Sequence, residues 1–490
     1  MRKQRKSFSL VLSMLMAVTL VLSACGGSES ASESGGAGDD SVELIWYTIG
    51  TPQKDVNKVM EEVSKYTKEK INATVTMKMV DWGDYPQKMQ VNVASGEPMD
   101  ILFTASGGFD YVQNARKGAF MELDELLPEY GKELMDTIDP AFLSGSKVDG
   151  HNYGIPANKE LPQQEVWRFN KTLLDKYNLD ISNIRTLDSL EPLLKTIKEN
   201  EPSVTPFAMD KNYVPYVPYD YVIQNLPMAI KLDTTDYKLV NILETPEMKE
   251  ALTTMNKYYK AGYVSAEAAT TGSTNDLTTS GNWFLDRAQT QPLADNQWSA
   301  SYGYPVVSTP ASDAIITNTS VQGSIMAISA NSEYPEKAME FLNLLNTDPV
   351  LRNMVDSGIE GTHYKKVDDT HMENLAESKN YDMPSYSLGN NMLLYLNSND
   401  PDNKWDEFKK FNAEGVNSPI LSFNFDASNV SAELTAVQNV KEQYWAALMT
   451  GTLDPATNLD QVIEKFNQAG LEKVMAEAQS QLDAWRAENK

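Results

Sequence analysis

Three runs decide the fold: VELIWYTI at 42–49, TVTMKM at 74–79 and MDILFT at 99–104. The first is almost continuously apolar, the mark of a strand buried on both faces of a parallel sheet. Gly50-Thr51-Pro52 is a turn with proline near a helix start. Val56, Val59, Met60, Val63 and Tyr66 then recur at helical spacing. The second run alternates with period two. Asp84 stands at the head of a helix through Tyr85, Met89 and Val93, which Gly96 and Pro98 stop. The third run is again a buried strand. Strand, helix, strand, helix, strand predicts an α/β sheet with right-handed crossovers.

The pattern loosens further along. Leu123 to Leu127 reads as a short helix, and 153–156 and 165–169 as strands. Met248, Ala251, Leu252, Met255, Tyr258 and Tyr259 make a helix face ended by Gly262. Residues 324–328 read as a strand, and Pro335 opens a helix with Ala338, Phe341, Leu342 and Leu345 on one side. The C-terminal stretch carries apolar stripes over 434–448, 459–466 and 471–485, with Gly470 as a break.

Upstream of the first strand lies a different kind of sequence. Arg2-Lys3-Gln4-Arg5-Lys6 precedes an apolar run from Leu10 to Leu22. At about 13 residues that run is short for a membrane span, which needs roughly 20. It fits the core of a secretory signal peptide over 1–24. Leu22-Ser23-Ala24-Cys25-Gly26 resembles a bacterial lipobox, in which the cysteine is lipidated and becomes the first mature residue. Residues 25–41 then read as a flexible tether, within which 26–40 hold only Gly, Ser, Ala, Glu and Asp. A Gly/Ser chain of that length spans ~20 Å. The expected location is the outer face of the bacterial cytoplasmic membrane, with the membrane held only through lipid on Cys25.

Composition narrows the function. The chain has 490 residues, Lys+Arg 42 against Asp+Glu 68, and a net charge of −26. So acidic a surface repels phosphate backbones, so no nucleic-acid partner is expected. Cys25 is the one cysteine, which excludes intrachain disulfides and Cys-rich metal sites. His151, His363 and His371 are the only histidines, few for a zinc hydrolase or a His-based triad. Hydrolase, zincin and P-loop motifs are absent, and Ser144 to Lys147 is a Ser-x-x-Lys without its companion motifs. Paired carboxylates remain open in a chain so rich in acids. Asn399 to Asn403 lacks the glycine and glutamate of a calcium loop and reads as a solvated turn. No catalysis, cofactor or metal is expected.

Several stretches together resemble the carbohydrate-type extracellular solute-binding proteins of bacterial ABC importers. They are VNVASGEPMDI at 91–101, GAFMELD at 118–124, DGHNYGIP at 149–156, FNKTLL at 169–174 and EKAMEFL at 336–342. GIEGTHY at 358–364, NSPILSFNFD at 417–426 and AGLEKV at 469–474 resemble the LipO-like lipoprotein branch, whose C-terminal region is a domain of unknown function. The resemblance implies a two-lobed, type II periplasmic-binding-protein-like fold with a multi-strand hinge. Lobe 1 would comprise 42–155 plus 318–370, and lobe 2 would comprise 157–315 plus 371–490. It implies a lipid-anchored receptor that holds a solute, expected to be an oligosaccharide, in the interlobe cleft and delivers it to permease subunits. A peptide-binding importer component and a partner of a membrane sensor kinase stay open as alternatives.

Ligands of open α/β sheets sit beyond the carboxyl ends of the strands. That rule selects the loops at 49–51, 81–82 and 104–109, and within them Trp82, Thr104, Ser106 and Phe109. Trp82 could instead be core. The loop NYVPYVPYDY at 212–221 is rich in tyrosine and stiffened by proline, and the resemblance places a cleft loop there. It supplies Tyr213, Tyr216 and Tyr219, with a packed loop as the other reading. The resemblance also implies a stacking aromatic ahead of the second hinge, for which Trp298 is chosen.

Overall fold

The computed structural model describes residues 41–489. The expected signal peptide over 1–24, Cys25 and all but the last residue of the expected tether lie outside them. Strand β1 (Val42–Ile49) pairs in parallel with β2 (Ala73–Val80) along its whole length, and on its other edge with β3 (Ile101–Thr104). Helices α1 (Val56–Ile71) and α2 (Tyr85–Ser95) make the crossovers. Leu44 and Trp46 enter one core, while Ile45, Tyr47 and Ile49 enter another across the sheet. The alternation of a strand therefore fills two cores at once, which is why the run had to be apolar throughout.

The strand Ile325–Ile328 joins β3 antiparallel, and Gly154–Pro156 closes the edge beyond it. Gly154 has a steric reason. A Cβ there would lie 2.4 Å from Ile325 Cγ2 and 3.0 Å from the Met326 carbonyl oxygen.

A second mixed sheet has the order Val306–Pro310, Gln164–Asn170, Trp283–Thr290, Thr205–Phe207. It too packs on both faces, with Phe284 in one cluster and Trp283 in the other. Three passages of chain link the two sheets, and they lie side by side. Gln163 and Ile315 exchange backbone hydrogen bonds of 2.8 and 2.9 Å, and Ile315–Ile316 pairs with Val416–Asn417. This is the two-lobed architecture with a multi-strand hinge. The helices Ser431–Met449, Pro455–Gln468 and Leu471–Glu488 cover a small antiparallel sheet of the second lobe.

Two boundaries differ from the sequence reading. The helix expected at 123–127 begins at Leu126, because Leu123 N–H donates to the Asn152 carbonyl and Asp124 accepts from Asn152 N–H. The chain after 370 does not all belong to the second lobe. Tyr381, Met383 and Leu388 pack in the first core with Leu345, Leu351 and Val355, and Tyr381 Oη donates to the Val355 carbonyl at 2.7 Å. His363, fully buried, anchors that return, with Nδ1 accepting from Ile359 N–H and Nε2 3.2 Å from Asp55. Residues 376–388 continue back over the first lobe.

Gly451 is required at the end of the helix Ser431–Met449. Its φ is +77°, and a Cβ would lie 2.3 Å from the Met255 backbone. Gly96 has a similar φ of +70° but open space around it. Thermal or urea unfolding should therefore show Gly96→Ala costing ~1 kcal/mol, the left-handed penalty alone. Gly451→Ala should cost roughly 3 kcal/mol, since backbone must also move.

Candidate functional site

The carboxyl ends of β1 and β3 open onto a cleft of about 600 Å³ between the lobes. Ile49 and the loop 105–108 form the first-lobe wall, the crossing segment 159–163 also lines it, and Gln289 to Gln291 with Trp298 form the second-lobe wall. Gln163, Gln289, Gln291, Thr290 and Thr319 offer amides and hydroxyls. The only charged residues lining the cleft, Lys159 and Glu160, pair with each other at 2.6 Å. The surface is thus built for an uncharged ligand with many donors and acceptors.

Trp298 is held from within. The Arg168 guanidinium lies 4.7 Å from its ring centroid and also close to Trp283 and Tyr302. Asp286 fixes that guanidinium through two hydrogen bonds of 2.9 and 2.6 Å, both residues being buried. A bidentate pair on adjacent strands orients the planar cation, and the cation fixes the indole.

Gln163 and Gln289 also line a second chamber of about 210 Å³. Tyr216, Tyr219 and Tyr221 belong to its wall. Tyr219 Oη donates to Glu247 at 3.2 Å, whereas the buried Tyr221 hydroxyl has no partner among the described residues. An unpartnered buried hydroxyl costs about 1–3 kcal/mol, which a bound polar molecule can offset.

Of the residues chosen from sequence, Ser106 and Trp298 line the cleft, and Tyr216 and Tyr219 line the second chamber. Trp82 is 42% exposed and stacks on Tyr386, itself a cleft residue, with ring centroids 6.2 Å apart. Three choices need correction. Thr104 is fully buried and spends its hydroxyl on the Phe109 carbonyl at 2.5 Å. Phe109 turns inward and packs edge-on against Phe120. Tyr213 is in the second-lobe core against Phe207, and burial raises its phenol pKa well above the ordinary value. The sequence reading missed Gln163, Gln289, Gln291 and Tyr386. The strand-end rule finds Gln289 to Gln291 once it is applied to the strand 283–290; nothing local marks Tyr386.

One group among the described residues could approach a metal: Glu122, Asp124 and His151, all exposed, with ligand atoms within 4.8 Å. Asp124 already ties the hairpin at 151–152 through His151 Nδ1 and Asn152 N–H, and its hydrogen bond raises the His151 pKa. It is a fastening of the fold, and none of its three residues lines the cleft.

With this geometry stands the chain's kinship. Residues 50–350 match the bacterial extracellular solute-binding protein family, and 419–487 match a domain of unknown function. The chain belongs to the bacterial extracellular solute-binding proteins. It is 35% identical, over 98% of both chains, to a carbohydrate ABC transporter substrate-binding protein of Streptococcus pneumoniae serotype 4. It is likewise similar, at 35% identity over 92% of this chain and 100% of the other, to the N-glycan transport solute binding protein NgtS of Streptococcus pneumoniae. The TM-score is 0.85 for one crystal structure of NgtS and 0.71 for its complex with Man5GlcNAc, which has the same identity and coverage.

Asp220, in the second chamber, is buried and accepts from Ser418 Oγ at 2.5 Å. Desolvation pushes its carboxyl up to about 6. The folded pKa exceeds the unfolded one, so stability is lost as pH rises from ~4 through 6, by on the order of 3 kcal/mol. Asp220→Asn should melt above the parent at pH 7.5, and the two should converge near pH 4 in a thermal scan.

Proposed function

We propose that this chain is the extracellular receptor of an ABC importer, that it binds an oligosaccharide between its lobes, and that it hands the sugar to permease subunits without changing it chemically. The observation that carries the reading is the cleft itself. Its lining joins amides and hydroxyls to a pre-oriented indole, and its one ion pair is internally matched. A pyranose presents an apolar C–H face and a rim of hydroxyls, and this lining complements both. The relatives' carbohydrate and N-glycan ligands support the same class.

Binding is coupled to closure. The NgtS crystals share one sequence identity to this chain yet superpose on it to different degrees, as expected where lobes rotate about a hinge. Gln163, Ser106 and Trp298 sit on three different walls, so one sugar touching all three draws them together. Lipidation of Cys25 would hold the receptor at the membrane, with 26–40 giving it reach.

Isothermal titration with a mannose–N-acetylglucosamine disaccharide and with Man5GlcNAc tests the assignment. Both should bind, and Trp298→Ala should weaken both at least about tenfold, ~1.4 kcal/mol. Absence of binding to either glycan would reject the oligosaccharide. In cells, Cys25→Ser should release the protein from the membrane fraction, measured by immunoblotting of the medium; retention would reject the lipid anchor.

A further inference from the structure

Tyr386 is not the end of the cleft. Lys159, Glu160, Gln291 and Tyr386 line both the central cleft and a third chamber of about 510 Å³. Tyr395 and Trp405 bring aromatic rings to that chamber, beside Asp356, Asn391 and Lys404. The tyrosine chamber leaves the cleft at Gln163 and Gln289, whereas this annexe leaves it at Lys159, Glu160 and Gln291. The three spaces are therefore stations along the same crossing segment and the same strand end.

The annexe wall is held by buried polar groups, and Arg352 also pairs with the annexe residue Asp356 at 3.1 Å. Arg352 and Asn353 are both fully buried on the helix Pro349–Ser357. Arg352 Nη2 donates to the Ser385 carbonyl and to Asn391 Oδ1, each at 2.9 Å. Asn353 Nδ2 donates to the Leu393 carbonyl, and its Oδ1 accepts from Tyr395 N–H, both at 2.8 Å. Trp405 Nε1 donates to the Leu394 carbonyl at 2.9 Å. Burying an arginine and an asparagine is costly unless their bonds are made. Here those bonds fix the 385–395 loop that carries Tyr386 and Tyr395. The helix Lys404–Glu414 is joined to the cleft in turn: Asn412 accepts from Leu161 N–H and donates to the Lys159 carbonyl, both at 2.8 Å.

We infer that the annexe is a further sugar subsite of the same ligand, so that the bound oligosaccharide runs past Tyr386 and ends against Tyr395 and Trp405. The inference rests on the oligosaccharide reading above. The occupant follows from continuity, since four residues are shared with the cleft, and from chemistry, since aromatic rings beside an amide and two internally matched ion pairs, Asp356 with Arg352 and Lys404 with Asp400, again suit a neutral pyranose. The wall is preformed, so ordering it adds little entropic cost on binding. Affinity should consequently rise with ligand length.

The test is titration of the folded receptor and its Tyr395→Ala and Trp405→Ala variants with the same two glycans. The larger glycan should lose at least about tenfold in affinity in each variant, while the disaccharide stays within about twofold. The unchanged disaccharide affinity also reports an intact fold. If Trp405→Ala does not fold, Tyr395→Ala decides alone. Parent-like binding of the larger glycan by the variants overturns the annexe and leaves the oligosaccharide reading standing. So does an equal loss for both glycans in Tyr395→Ala. A transport defect with unaltered binding would make the annexe a permease contact instead. A parent that binds neither glycan overturns the oligosaccharide reading and the annexe with it.

Discussion

Everything about the cleft depends on a few backbone hydrogen bonds where Gln163, Ile315–Ile316 and Val416–Asn417 lie side by side. Each lobe is rigid because its sheet is packed on both faces. The crossings are short, paired along only one or two residues, and flanked by cleft residues on the same segments. Bending there costs few contacts, and it moves Gln163 and its neighbours directly. The hinge and the binding surface are thus one set of residues. Asn412 extends the linkage to the helix Lys404–Glu414.

The cleft's chemistry also sits against the chain's overall charge. A net charge of −26 repels anions from the whole molecule. A neutral sugar is indifferent to that field, and the cleft offers it amides, hydroxyls and one self-neutralised pair. Specificity therefore resides in shape, ring stacking and hydrogen-bond direction. Arg168 is present in force but faces inward, spent on Asp286 and on three aromatic rings.

What could be read from sequence followed the strength of the periodic signal. The run 42–49 was legible because its two faces fill two cores, and Gly470 was legible as a break because its φ is +98°. Trp298 and Ser106 were reached through resemblance and the strand-end rule. Phe109 and Tyr213 were misread for a shared reason. An aromatic in a loop is as useful for sealing a core as for stacking on a ligand, and sequence does not show which way it turns. The three glutamines were passed over because amides are common on any surface. Tyr386 and Tyr395 owe their places to Arg352 and Asn353, contacts made only in the folded chain.

The return of Tyr381, Met383 and Leu388 to the first core has a consequence for biogenesis. A chain that folds as it emerges normally completes its first compact unit early. Here the core around the earliest-made strands is completed by a segment more than three hundred residues away. Neither lobe is a contiguous stretch, and the second takes its last helices from 431–488, after the first has received Tyr381, Met383 and Leu388. The interleaving that makes a good hinge thus also sets the order in which the two lobes can be completed.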